Sequence, residues 1–293
     1  MTIEEQPLSS TSGSELSLSD RWDRIHFHFF PVREVQSFLS KWGNLSVAHT
    51  RPEIVEVADG LINNLEPEFT LKNNLIIGVR NKNDQPVEAS CLRRVNSGER
   101  QTGKEECKRG HVLQDCRTAY YLGVKAKHYG HFLLDTLCRA WAWEECGHGA
   151  VPVIQVSPIK KIPQSIYAQI PNLMERIEIV LAPTRYDNVI VPSPAFVIGQ
   201  GAHIQFKAMC ERIAERSDSS TGPMTEQPLY LSRAGLGAEA KRHFPDELQL
   251  EGFLEREGFR IVRPEALPFA EQVALFNSHK WIVAPQGSAC HTR

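Results

Sequence analysis

Between Thr118 and Trp143 the hydrophobic period of the chain changes once. Ala119 to Val124 is an unbroken apolar run, the pattern of a short buried strand. After Lys125–Lys127, residues Leu133, Leu137, Ala140 and Trp141 recur at three- to four-residue spacing, which predicts a helix with one packed face. On the opposite stripe His128, His131 and Asp135 stand at i, i+3 and i+7, so that face would show two imidazoles and a carboxylate from its first turn. A strand, a short loop and polar residues at a helix start is where open α/β sheets place their chemistry. The same His–Asp spacing is also that of an ordinary helix pair, so the surrounding sequence has to decide.

The 293 residues suit two domains of ordinary size or one large one. A hydrophobic share of 41% and a charged share of 23% are those of a soluble globular protein. A net charge of -2 argues against a broad nucleic-acid-binding surface. There is no apolar run long enough for a membrane span. Residues 1–20 are acidic and rich in Ser and Thr, without the apolar core of a secretory signal, and are expected to be a disordered leader. The seven cysteines show no close paired spacing, although Cys107 and Cys116 are near enough to pair. Reduced thiols in a cytosolic setting are the expectation.

Order is expected from about Arg21. His26 and His28 alternate in an aromatic strand-like segment and lack a third ligand, which makes a poor metal site. An amphipathic stretch at Val35–Trp42, a strand at Asn74–Val79 and polar loops with solvated Lys and Arg over 80–117 follow. Beyond the central helix come strands at Val151–Val156, Ile177–Val180 and Asn188–Val191, with a helix at Ile162–Ile170 between Pro163 and Pro171. This pattern predicts a mainly parallel α/β domain over 21–202. A helix and linker over 203–228 lead to a regular β-α-β-α-β pattern in 229–293: strand Leu229–Ser232, helix Asp246–Glu257, strand Phe259–Val262, helix Pro268–Ser278 and strand Trp281–Ala284. Acidic residues in the first turn of the Asp246–Glu257 helix suit its dipole.

Two loops of this second half carry candidate chemistry. Ser232, Arg233, Gly235 and Gly237, then Lys241 and Arg242, follow the first strand, where glycines admit a phosphate and arginine grips it. Gly287 and Ser288 follow the last strand. Either loop could equally be a plain polar turn. The spacing is neither GxGxxG nor GxxxxGK[ST], and GxSxG, HExxH, CxxC and a DxD-type carboxylate pair are all missing.

The block HYGHFLLDTLCRAWAW resembles the H-F-L-L-D-x-L-x-R-x-W block of the glycosyltransferase family 61 domain. The stretch Leu229–Thr292, with YLSR, KRHFPDE, EGFRIVRPEALPFAEQVALF and APQGSA, is similar to the remainder of that domain. The resemblance implies an α/β protein of two Rossmann-like domains (a GT-B-like arrangement). A nucleotide-sugar is bound by the second domain and an acceptor by the first, with inverting transfer that needs neither metal nor cofactor. It places His131 and Asp135 on the family's cleft-facing His and Asp, Arg233 and Arg242 on its arginines, and Gly287–Ser288 on its donor loop. Gln286 stands where many members have His, Pro245–Asp246 where many have Asn-Glu, and Thr292 near a usual Asn.

On this reading His131 is the base, Asp135 orients it, and Arg233 with Arg242 offsets the leaving-group charge. The acceptor would be a glycan or lipid-linked saccharide, such as a growing bacterial capsule, with the protein cytoplasmic or peripheral at the inner membrane face. The second domain is expected to be truncated, exposing a sheet edge and favouring self-association. Two other classes compete: an inactive binding module of the same fold, and another nucleotide enzyme such as an epimerase or dehydrogenase, which the missing GxGxxG disfavours.

Overall fold

The computed structural model describes residues 15–17, 46–64, 77–92, 111–125, 129–155, 164–197, 201–217, 224–236 and 246–285. His26, His28, the Val35–Trp42 stretch, Cys107, His128, Arg242, Gly287 and Ser288 lie outside them. In chain order the strands are β1 (Glu15–Ser17), β2 (Ser46–Ala48), β3 (Ile54–Ile62), β4 (Val79–Arg80), β5 (Leu113–Val124), β6 (Val151–Gln155), β7 (Glu178–Ile179), β8 (Thr184–Pro192), β9 (Phe196–Val197), β10 (Gly201–His203), β11 (Leu229–Leu231), β12 (Arg260–Val262) and β13 (Ile282–Val283). The α-helices are α1 (Tyr129–His131), α2 (Trp143–Cys146), α3 (Gln164–Tyr167), α4 (Ile204–Ser217), α5 (Glu247–Arg256) and α6 (Phe269–Asn277).

The largest sheet has the order β4-β3-β8-β5-β6-β7. From β8 to β7 all neighbours run parallel, as the β-branched strand and helix alternation predicts. On the other side β3 and β4 are antiparallel, an edge commonly added to a parallel sheet. The whole strand β3 was not legible in the sequence. Its run IVEVADGLI is broken by Asp59 at φ 52° and by Gly60, where a Cβ would come 2.5 Å from Val189. Two expectations change in this region. Arg80 is buried in β4 rather than solvated, and the helix expected over 162–170 stops at Tyr167, its first two residues lying outside the described ones.

From Ala119 onward β5 is buried on both faces, and it feeds two cores. Tyr120 and Leu122 join Phe132, Leu137, Trp141, Ile154 and Ile190 on one side, while Ala119 and Tyr121 join Val57, Val153, Val189 and Val191 on the other. A smaller sheet, β1-β2-β10-β9, includes Glu15–Ser17, a piece of the stretch expected to be a disordered leader. The third sheet, β12-β11-β13, is parallel throughout, matching the predicted β-α-β-α-β order. α6 serves two cores at once. Phe269 and Val273 are buried with Met209 and Ile213 of α4, whereas Leu275 and Phe276 pack on Leu229 and Leu231. That helix ties the third sheet to the first.

Candidate active site

The first candidate site begins where β5 ends. A bulge shifts the register between Tyr121 and Val124, with Gly123 at φ 94°. A Cβ there would stand 3.0 Å from Arg139 Cδ, so glycine suits both the backbone and the close approach. The helix predicted to follow is not regular. One turn of α-helix, α1, gives way to a π-helical turn over Phe132–Thr136, then a 3-10 stretch over Leu137–Ala142, then α2. Such turns are poorer than α-helix in isolation and tend to mark functional positions.

External bonds hold this winding. Thr136 Oγ1 donates to the Val124 carbonyl at 2.6 Å, and Tyr120 Oη donates to the Arg139 carbonyl at 2.8 Å. The Ala195 N–H donates to the Cys138 carbonyl at 3.0 Å, and Trp141 Nε1 donates to the Ser193 carbonyl at 2.9 Å. Arg139 itself is 2% exposed. Its guanidinium donates to the carbonyls of Ala89 at 2.6 Å, Pro192 at 2.5 Å and Cys91 at 3.2 Å, and lies 5.5 Å from the Tyr121 ring centre. On the same segment burial raises the Cys138 thiol to about 12, well away from a reactive thiolate. The five described cysteines, at 91, 116, 138, 146 and 210, form no disulfide with one another.

The structure brings His131 and Asp135 together. His131 Nδ1 lies 3.1 Å from Asp135 Oδ2, and Asp135 keeps only 4% of its side chain exposed. The expectation of one exposed polar stripe is thus half right, because the carboxylate faces inward. His131 keeps 38% of its side chain exposed although Nδ1 is shut off from solvent. The accessible part of the ring is therefore the part away from Asp135. A proton on Nδ1 would face the carboxylate and leave the other ring nitrogen as the acceptor.

The second candidate site lies on the third sheet. The chain leaves the central strand β11 first to β12 on one side and later to β13 on the other. The loops after β11 and β13 therefore leave the same end of the sheet at a topological switch point. Arg233 is in the first of these loops, half-buried. Its backbone N–H donates to Glu247 Oε1 at 2.8 Å, and Tyr230 Oη donates to the same oxygen at 3.0 Å. Ser232 Oγ donates to Glu251, whose carboxylate also pairs with Arg263 at 3.0 Å. Burial, then the bond to Glu247, pushes the Tyr230 hydroxyl well above the usual phenol range. Gly235 follows closely, where a Cβ would meet the end of the Glu265 side chain at 2.3 Å.

The glycosyltransferase 61 family model matches residues 129–292, more than half of the chain, a span that includes His131, Asp135, Arg233, Arg242, Gly287 and Ser288 but not His128. The chain belongs to glycosyltransferase family 61. No curated protein matches it. Membership makes it a glycosyltransferase, with a nucleotide-sugar donor and a glycan acceptor. No helix among the described residues is long and apolar enough to cross a membrane.

Within this family 61 domain, sequence reasoning missed several residues. Glu247 and Glu251 look like dipole-favouring acids in an amphipathic helix, yet both are buried and hold the Arg233 loop. Their spacing at i, i+4 on one face of α5 is the only sign they gave. Arg139, one letter of the quoted block, turns out to be the most deeply tied side chain of the segment. The rest of that block is largely architectural too. Phe132, for example, stands edge-on to Tyr167 with ring centres 5.4 Å apart.

Proposed function

We propose that this family 61 protein transfers a sugar with inversion, on a metal-independent path in which His131 is the general base. Its accessible ring nitrogen takes the proton of an acceptor hydroxyl as that oxygen attacks the anomeric carbon. The bond from that carbon to the nucleoside diphosphate breaks, and the leaving phosphate keeps the electron pair. Asp135 holds the imidazole in the required tautomer and stabilises the imidazolium that forms. Arg233 and Arg242, with the Gly287–Ser288 loop, offset the charge of the departing diphosphate. The two sheets act as a pair of Rossmann-like domains in a GT-B arrangement, with acceptor at residues 21–202 and donor at 229–293. The acceptor is a growing surface polysaccharide such as a capsule, met at the inner membrane face by a cytoplasmic, peripherally attached enzyme.

One observation carries this reading: a solvent-reachable histidine whose inner nitrogen stands 3.1 Å from a buried carboxylate just after a central parallel strand. The test is His131→Ala in a transfer assay over UDP-, GDP- and CMP-sugars. Turnover should fall on the order of a hundredfold or more. Turnover close to wild type would remove His131 from the role.

A further inference from the structure

We infer that Arg139 is the positioning residue of the transfer site, fixing the winding of the helical segment and through it the His131–Asp135 pairing. The inference rests on the reading of His131 as the base. Its ground is geometric. The Arg139 guanidinium donates to main-chain carbonyls: those of Ala89 and Cys91, in and just after the 3-10 turn Glu88–Ser90 that follows β4, and that of Pro192 at the end of β8. The residue therefore joins its own helical segment to two other pieces of the first sheet. Among the described residues no carboxylate pairs with this guanidinium, and such a buried cation is an expensive way to fill a core that an apolar side chain would fill more easily. What an apolar side chain could not do is span three carbonyls.

Those bonds bear on the site because the segment changes its winding between the two residues of interest. Asp135 lies in the π-helical turn, and Arg139 in the 3-10 stretch that starts at Leu137. Wound at 3.0 rather than 3.6 residues per turn, the six residues Leu137–Ala142 turn through about 120° more than an α-helix would. The preceding π turn under-winds in compensation. If the 3-10 stretch relaxed, the compensating π turn would rewind with it, and Asp135, which lies within that turn, would rotate relative to His131, which lies before it. Arg139 opposes that relaxation from the over-wound half, helped by Tyr120, which donates to the Arg139 carbonyl. Gly123, whose added Cβ would stand 3.0 Å from Arg139 Cδ, keeps the arginine stem against the end of β5.

Arg139→Lys tests this, because lysine keeps the charge but not the three-way reach. The first readout needs no substrate. In the full chain labelled with ¹⁵N-histidine, long-range proton–nitrogen spectra report which ring nitrogen carries the proton, and His131→Gln identifies the signals. Wild type should hold the proton on Nδ1. R139K should show a mixture of tautomers, approaching the Asp135→Asn protein, while its melting curve stays cooperative. Spectra of R139K that superimpose on wild type would overturn the inference. Arg139→Gln replaces R139K if the latter does not fold.

The second readout is kinetic, with the UDP-, GDP- and CMP-sugar panel. R139K should lose kcat by about tenfold or more while KM for the donor stays within about twofold. In the His131→Ala background the same change should cost nothing further, since its effect passes through the imidazole. A full additional loss there would overturn the inference. If His131→Ala turned over normally, the base reading and this inference would fall together. If His131→Ala were slow and R139K normal, only the inference would fall.

Discussion

The two candidate sites are held by buried charges of opposite sign. At the end of β5, a cation gathers carbonyls: Arg139 reaches Ala89, Cys91 and Pro192. At the end of β11, carboxylates gather donors: Glu247 takes the Arg233 N–H and the Tyr230 hydroxyl, while Glu251 takes Ser232 and Arg263. Both charged residues come from a helical segment beyond the strand. Glu247 secures the loop that carries Arg233, whereas Arg139 secures its own segment, the one that carries His131 and Asp135, to residues 89–91 and the end of β8. The sign follows from what the loop leaves unpaired. Residues 89–91 and the end of β8 present carbonyls, whereas the turn after β11 presents N–H and O–H groups. A strand end with its main chain satisfied by a fixed side chain is a firm platform, and the donor or acceptor character of that end selects Arg or Glu.

Removing the cation should have the largest effect. Arg139→Met fills the space but leaves three carbonyls without their partner, and each unsatisfied buried group costs about 1–3 kcal/mol. We expect a loss on the order of 3–5 kcal/mol in urea-induced unfolding. A loss below about 1 kcal/mol would mean that water replaces the guanidinium, and the parallel between the two sites would break there.

Glu247→Ala is expected to cost less, about 2 kcal/mol, since it strands only the Arg233 N–H and the Tyr230 hydroxyl. The same variant should also raise the donor-nucleotide Kd, because Arg233 loses its main-chain anchor. A stability loss with unchanged nucleotide affinity would separate the Glu247 clamp from the donor site.

The two regions also differ in how far they could be read in advance. The third sheet was legible almost to the residue: regular alternation gave β11, α5, β12, α6 and β13, because each element is short, amphipathic and bounded by Gly or Pro. The segment after β5 was legible as helical and as polar on one side, and the pairing of His131 with Asp135 follows from their i, i+4 spacing. Its winding was not legible, because π and 3-10 turns are imposed by bonds to Val124, Ser193 and Ala195 that no local pattern announces. For the same reason Asp135 looked exposed. β3 escaped because Asp59 and Gly60 break its alternation, and Glu247 because an acid in a first helical turn already has a sufficient local explanation.

The smallest expected effect comes from a charge that belongs to neither clamp. Glu144, at the start of α2, pairs with Arg216 of α4 at 2.8 Å and with Arg212 at 3.6 Å. The bond from Arg216 chiefly, aided by both guanidinium charges, holds its carboxyl below the ordinary value of 4.5 in spite of some burial. A carboxylate depressed in the folded state contributes stability that is present above its unfolded value and is lost as pH falls through the folded one. Glu144→Gln should therefore cost at most about 1 kcal/mol at pH 7, since 36% of this side chain is exposed and salt screens it. The difference from wild type should shrink only below about pH 4.5, and also in high salt. A deficit larger than that of Glu247→Ala, or one that persisted at pH 3, would make this surface brace a third clamp. The contrast between buried charges that hold strand ends and exposed charges that only join helices would then have to be withdrawn.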